Sequence, residues 1–151
     1  MSKITILYGE MGAGKNYHGT RLAKLFGGVF LDGDDAMPPE MREKVQNFKP
    51  LSPEILQDFI HNHLVDSILD TVRTCNHLVV AQALYRREDR EKLGERLQLR
   101  TGVTPEFIHI KVPVWQNARQ LWSRPKGHLW VLYWLLNKPF FQKGPDTTWL
   151  F

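Results

Sequence analysis

Seven residues near the beginning of the chain restrict its fold more than any other feature. Gly9-Glu10-Met11-Gly12-Ala13-Gly14-Lys15 follows a short apolar run at residues 4–8. It leads into residues 15–26, where Leu22, Leu25 and Phe26 recur at helical spacing until Gly27-Gly28 stops the pattern. GxxxxGK between a strand and a helix lets consecutive backbone N–H groups converge on phosphate oxygens, and the positive helix end adds to the attraction. The pattern assigns Gly9, Met11, Gly12, Ala13 and Gly14 to a phosphate-cradling backbone and Lys15 to the β- and γ-phosphates of a nucleotide. A Ser or Thr normally follows this lysine and offers its hydroxyl to Mg²⁺; here the residue is Asn16. Its amide oxygen keeps that role, weakens it, or leaves the ion to water.

The remainder alternates in the same way. Residues 29–31 read as a second strand, 77–81 as a third and 107–112 as a fourth. Between them, Ser52-Pro53 starts a helix with a cap followed by proline. That helix carries Ile55, Leu56, Phe59, Ile60, Leu64, Ile68, Leu69 and Val72 on one broad face, and residues 88–100 form a charged helix. Strands separated by helices imply an α/β fold of P-loop NTPase type: three layers, α/β/α, with a parallel sheet covered on both faces. The 151 residues, 42% of them hydrophobic, contain no linker that would divide them and read as one domain over 1–151. The single cysteine, Cys75, excludes an internal disulfide and favours a cytoplasmic setting; it reads as an inert core thiol. The longest apolar run, eight residues at 129–136, is too short to span a membrane. A net charge of +4 is too mild to indicate nucleic acid.

The second strand ends in Phe30-Leu31-Asp32-Gly33-Asp34-Asp35, and acids at the C-terminal end of a parallel strand sit where open α/β sheets bind ligands. Asp32 and Asp34 can divide two jobs, one holding the Mg²⁺ shell and the other taking the proton of an attacking hydroxyl. Arg86, Arg87 and Arg90 follow the third strand, either as a solvated helix start or as contacts to an anionic substrate. His61 and His63, two apart on a helix, point in different directions and read as surface residues. All five tryptophans lie at or after residue 115. The run at 129–136 fits a core helix, a partner-binding or self-association face that would make a homo-oligomer, or a membrane-surface contact.

The phosphate loop, FLDGDD at 30–35, Glu43-Lys44, Lys49-Pro50-Leu51 and the third strand through Leu84 together resemble the gluconokinase family of shikimate-kinase-like P-loop kinases. Arg124-Pro125-Lys126-Gly127-His128 resembles that family's lid segment, placing a lid at about residues 122–143, and the likeness runs over residues 3–148. It implies ATP-dependent transfer of the γ-phosphoryl group, with Mg²⁺, onto a hydroxyl of a sugar acid or related small polar acceptor. By position it implies Lys15 as phosphate clamp, Asp32 and Asn16 on the metal side, Asp34 on the acceptor hydroxyl and Arg124 on transition-state charge. Asp34, Arg86, Arg87 and His128 are the acceptor-side candidates, His128 serving either the lid or plain packing. The chain departs from the family at Met37, at Leu56 where an anion-binding arginine is expected, and at Gln82 and Tyr85 beside the third strand. Those departures, with Asn16, motivate an alternative: a catalytically impaired ATP-binding protein that acts through protein interaction. A nucleoside or nucleotide kinase would fit the loop but not the lid motif. The resemblance places a fifth strand and closing helix after Pro145, where six residues remain, so the sheet is expected to have four strands or four plus a stub at 149–151.

Overall fold

β1 (Lys3–Tyr8) occupies the middle of a sheet ordered β2-β3-β1-β4-β5, in a computed structural model that describes residues 2–141 and 147–150. β2 (Val29–Asp32), β3 (His77–Ala81), β4 (Glu106–Lys111) and β5 (Thr147–Leu150) complete it, and every pairing is parallel. The register sets Ile6 opposite both Val80 and Phe107, and Ile108 opposite Thr147. The sheet is thus four strands plus a short fifth, whose backbone includes Trp149 and Leu150. Phe151, Pro145 and the part of the lid-like segment at 142–143 lie outside the described residues.

Alternation along the central strand builds the three layers. Ile4, Ile6 and Tyr8 point to one face with Leu78 and Val80, whereas Leu7 and Val79 point to the other. The first face is covered by α3 (Pro53–Asp58), a π-helical turn (Phe59–His63), α4 (Leu64–Val72) and α5 (Arg87–Thr101), which contribute Phe59, Leu64, Ile68, Leu93 and Leu97. α1 (Lys15–Leu25) covers the second face with Leu22 and Ala23. A 3₁₀ turn (Gly33–Ala36) and α2 (Pro39–Gln46) follow β2, and α6 (Val114–Trp122) and α7 (Gly127–Asn137) follow β4. The Ser52 hydroxyl caps α3 by accepting from Ile55 N–H at 3.3 Å.

Three expectations change. In α1 the buried positions are Gly19 and Ala23, while Leu25 is 77% exposed, because the helix approaches the sheet on its small residues and Phe30 fills the space beside Gly19. His61 is not a surface residue: the π turn swings its ring under α5, where Nε2 lies 3.4 Å from Asp89 Oδ1 and only 12% of the side chain is exposed. α7 is no core helix, since Trp134 is its one buried large side chain while Leu132, Leu135 and Leu136 are at least half exposed. Among the described residues no helix is long and apolar enough to cross a membrane.

Candidate functional site

The C-terminal ends of β1, β2 and β3 open into one cleft, at the point where the chain leaves the central strand for an edge of the sheet. The loop after β1 turns through Gly12 and Gly14, both at φ +81°, a region that side-chain-bearing residues rarely adopt. Ala13 N–H bonds Glu10 O at 3.1 Å within the turn, and His18 N–H bonds Gly14 O at 3.0 Å as α1 begins. Gly12 is also pressed against α6: a Cβ there would lie 2.9 Å from the Leu121 side chain and 3.1 Å from Asn117 O. Asn117, almost wholly buried, donates to Glu10 Oε2 at 3.2 Å and ties α6 to the loop.

Lys15 folds across the loop that it closes, donating from Nζ to Gly9 O at 3.2 Å and Glu10 O at 2.9 Å. Burial lowers its pKa to about 8; the Asp34 carboxylate opposes this, Arg124 adds to it, and Asp32 and Glu10 offset it further. Lys15, Asp32, Asp34 and Arg124 therefore share one electrostatic neighbourhood.

Asp32 organises the turn after β2. Its Oδ1 accepts from Asp34 N–H at 3.0 Å, and its Oδ2 accepts from Asn16 Nδ2 at 2.5 Å. Asp34 is exposed beside Asp32. Partial loss of solvation, and next the neighbouring Asp32, raise its pKa, while Lys15 and a hydrogen bond from the Gln82 side chain pull it back. The site thus combines a lysine held near neutrality with a carboxyl shifted upward, a combination suited to gripping an anion and accepting a proton.

The other predicted members are placed differently. Arg86 is paired with Glu88 at 2.9 Å and lies 3.7 Å from Asp89, and Arg87 is paired with Glu91 at 2.8 Å. Their spacing from the acids of α5 turns both guanidinium groups along the helix. His128 is exposed on the first turn of α7. Arg124 rests with its guanidinium carbon 5.6 Å from the Trp130 ring, between α6 and α7. Sequence reasoning passes over Glu10, Gln82, Tyr85, Asn117 and Tyr133 as site members. Their signal was positional: Glu10 lies inside the loop, and Gln82 and Tyr85 follow β3, the strand beside β1. Among the described residues no cluster of three or more His, Cys, Asp or Glu could hold a metal ion unaided.

No family model matches the chain. A curated relative, a probable gluconokinase of Xenopus tropicalis, is 30% identical over 141 residues, covering 83% of this chain and 70% of the relative. The chain belongs to the gluconokinase family. Solved structures agree on the fold. A gluconokinase from Sinorhizobium meliloti 1021 superposes with a TM-score of 0.71 at 20% identity, covering 98% of this chain and 81% of that one. A sugar kinase from Janibacter sp. HTCC2649 gives 0.75 at 16% identity, covering 100% and 85%. The Mycobacterium tuberculosis APS kinase in complex with AMPPNP and APS gives 0.65 at 17%, covering 99% and 88%. As a gluconokinase-family member, the chain keeps the phosphate loop and the Asp32-Gly33-Asp34 turn in one cleft. At the expected anion-binding position, Leu56 instead packs against the core formed by α3, α4 and the sheet.

Proposed function

We propose that the chain is an ATP-dependent phosphotransferase of gluconokinase type, moving the γ-phosphoryl group to a hydroxyl of a sugar acid or related small polar acceptor. The observation that carries this reading is the convergence of Lys15 and Asp34 on one cleft from two neighbouring loops. The loop backbone from Gly9 to Asn16 cradles the phosphates, and Lys15 and Arg124 neutralise charge on the transferring group. Asp34 orients the acceptor hydroxyl and takes its proton as the oxygen bonds to phosphorus. The raised pKa of Asp34 brings its proton affinity nearer to that task.

The donor set fits Mg²⁺. Such an ion needs one or two carboxylates beside substrate phosphates and water, and Asp32 supplies one at the edge of the loop. Asn16 meets Asp32 through its NH₂ group, so its part is to anchor that carboxylate. Bound Mg²⁺ would supply charge neutralisation between the β- and γ-phosphates.

The test is ADP release with Mg-ATP across a panel of sugar acids, polyols and sugars. The wild type should turn over with at least one acceptor, and Asp34→Asn should lower kcat by about 10²–10⁴-fold with ATP affinity retained. A substitution that leaves kcat intact would remove Asp34 from the reaction. Asn16 in place of the usual hydroxyl after Lys15, and Leu56 in place of an arginine, motivate a second reading, an ATP-binding protein without turnover that acts through protein interaction. It is separated from the first by nucleotide binding in the absence of any acceptor-dependent ADP.

A further inference from the structure

α6 and α7 each bury one side and expose the other. α6 turns Asn117 and Leu121 inward, onto Glu10 and Gly12 of the phosphate loop, and leaves Trp115, Arg119 and Trp122 outward at i, i+4 and i+7. Trp115 is 64% exposed and Trp122 65%. α7 holds Trp130 and Tyr133 against Phe48, with ring centroids 4.7 and 6.2 Å apart, and buries Trp134. Its opposite side carries His128, Leu132, Leu135 and Leu136, again at helical spacing, and all four are exposed. A helix apolar around its whole circumference is ordinarily enclosed, yet one side of α7 meets solvent. The two helices join in a tight corner, where Gly127 abuts the Trp122 carbonyl.

Charge is distributed as unevenly as the tryptophans. Residues 107–141, which contain both helices, hold Lys111, Arg119, Arg124, Lys126 and Lys138 and no Asp or Glu. Residues 1–106 hold fourteen Lys and Arg against fifteen Asp and Glu, so the chain's whole positive excess lies beyond them. Lys111, Arg119, Arg124 and Lys126 are exposed, and Lys138 lies with its Nζ 5.0 Å from the Trp134 ring. These cations decide what the apolar face fits. A second copy in a two-fold contact presents the same patch, and would bring the cations against their own counterparts. A bilayer with anionic headgroups complements both features, since tryptophan favours the interface and leucine the acyl boundary below it.

We propose that the outward sides of α6 and α7, with Trp115, Arg119 and Trp122 on one and Leu132, Leu135 and Leu136 on the other, dock on the surface of an anionic lipid bilayer. The inference goes beyond the phosphotransferase reading and does not depend on it. α7 has 11 residues and lies along the interface, its leucines entering the headgroup boundary while Trp130 and Tyr133 keep their packing on Phe48. The cations supply attraction at a distance and the apolar side chains supply the contact, so both are needed for binding.

The experiment is cosedimentation of the full chain with two kinds of vesicle, phosphatidylcholine alone and phosphatidylcholine with about 30% phosphatidylserine. Binding to the anionic vesicles should exceed binding to the neutral ones by about tenfold or more at about 0.1 M salt, and should fall steeply at about 0.5 M. Trp115→Ser with Trp122→Ser should weaken the partition by about tenfold or more, and so should Leu132→Gln with Leu135→Gln. Lys111→Gln with Arg119→Gln should weaken it on the anionic vesicles alone. Urea unfolding of each variant separates a lost surface from a lost fold, and the comparison of the two vesicles needs no variant. Equal binding to both vesicles overturns the proposal, as does binding that survives both apolar pairs of substitutions. Absence of binding to either also overturns it, and a concentration-dependent dimer in sedimentation velocity would then give the face to a second copy.

Discussion

Lys15 shows how one residue can tie stability and ligand affinity to pH in opposite directions. Burial lowers its pKa from 10.5 to about 8, so above pH 8 the folded chain holds fewer protons than the unfolded one. Its contribution to stability therefore rises between pH 8 and 10.5 and is absent below pH 8. A bound triphosphate favours the ammonium form, so ATP affinity moves the other way and falls by up to about tenfold per pH unit above the free lysine's pKa, with proton uptake on binding. Nucleotide titrations from pH 7 to 9.5 check this. Lys15→Arg, which keeps its charge throughout, should flatten the profile; an unchanged slope in that variant would assign the titration to another group. The lysine, the loop glycines and both aspartates were legible in the sequence because their chemistry requires those residue types at that spacing. Gln82 and Tyr85 were legible only as departures beside the third strand, and Glu10 not at all, because residue type alone does not say what the fold brings beside it. Arg86 and Arg87 left two readings open, a solvated helix start or contacts to a substrate. Their partners Glu88, Asp89 and Glu91 stand within five residues, but helix phase decides whether an arginine turns to them or to a ligand.

Elements were read more securely where burial sets the period. β3 occupies the predicted residues 77–81, and the face running from Phe59 to Val72 is buried as expected, with Leu64 and Ile68 fully enclosed. The π turn was hidden in that face. Leu56, Ile60, Leu64, Ile68 and Val72 recur every fourth residue, a spacing that drifts around an ordinary helix of 3.6 residues per turn. A wider turn in mid-run corrects the drift. It also carries His61 beneath α5, whose Arg96 donates to the His61 carbonyl at 2.8 Å. At the other end of the chain, the corner between α6 and α7 depends on Gly127. A Cβ there would sit 2.0 Å from Trp122 O, and backbone cannot yield as a side-chain tip can. Gly127→Ala should therefore cost about 1–3 kcal/mol, the usual range for overpacking. Leu99→Ala, at a position 86% exposed on α5, should stay within about 0.5 kcal/mol of wild type. Urea unfolding of both variants reads the difference, and equal stabilities would mean that the corner is free to open. Arg124 lies within this corner, so loss of its geometry should also raise KM for ATP.

At the scale of the molecule, alternating strands and helices were enough to read a parallel sheet in three layers. The strand order was not read from the sequence, because local spacing does not say which strand takes the centre. With β1 central, the phosphate loop meets β2's acids on one side and α6 on the other. A nucleotide seated there would bridge elements that otherwise touch through few contacts: Lys15 with its own loop, Asn16 with Asp32, and Asn117 with Glu10. Binding to the folded state alone stabilises it by mass action, by about 2.7 kcal/mol at a ligand concentration one hundred times Kd. For a chain of this size that raises Tm by about 5–10 °C. Differential scanning calorimetry with Mg-ATP should show this rise in the wild type and lose most of it in Lys15→Ala. An Asp34→Asn chain should keep the rise while losing turnover, since Asp34 acts on the acceptor and not on the nucleotide. The pattern distinguishes the two functional readings. A full Tm rise with acceptor-dependent ADP release identifies a working phosphotransferase, and the same rise without ADP release from any acceptor identifies a nucleotide-binding protein. No rise at all would mean that the loop, despite its sequence and backbone, does not hold a triphosphate.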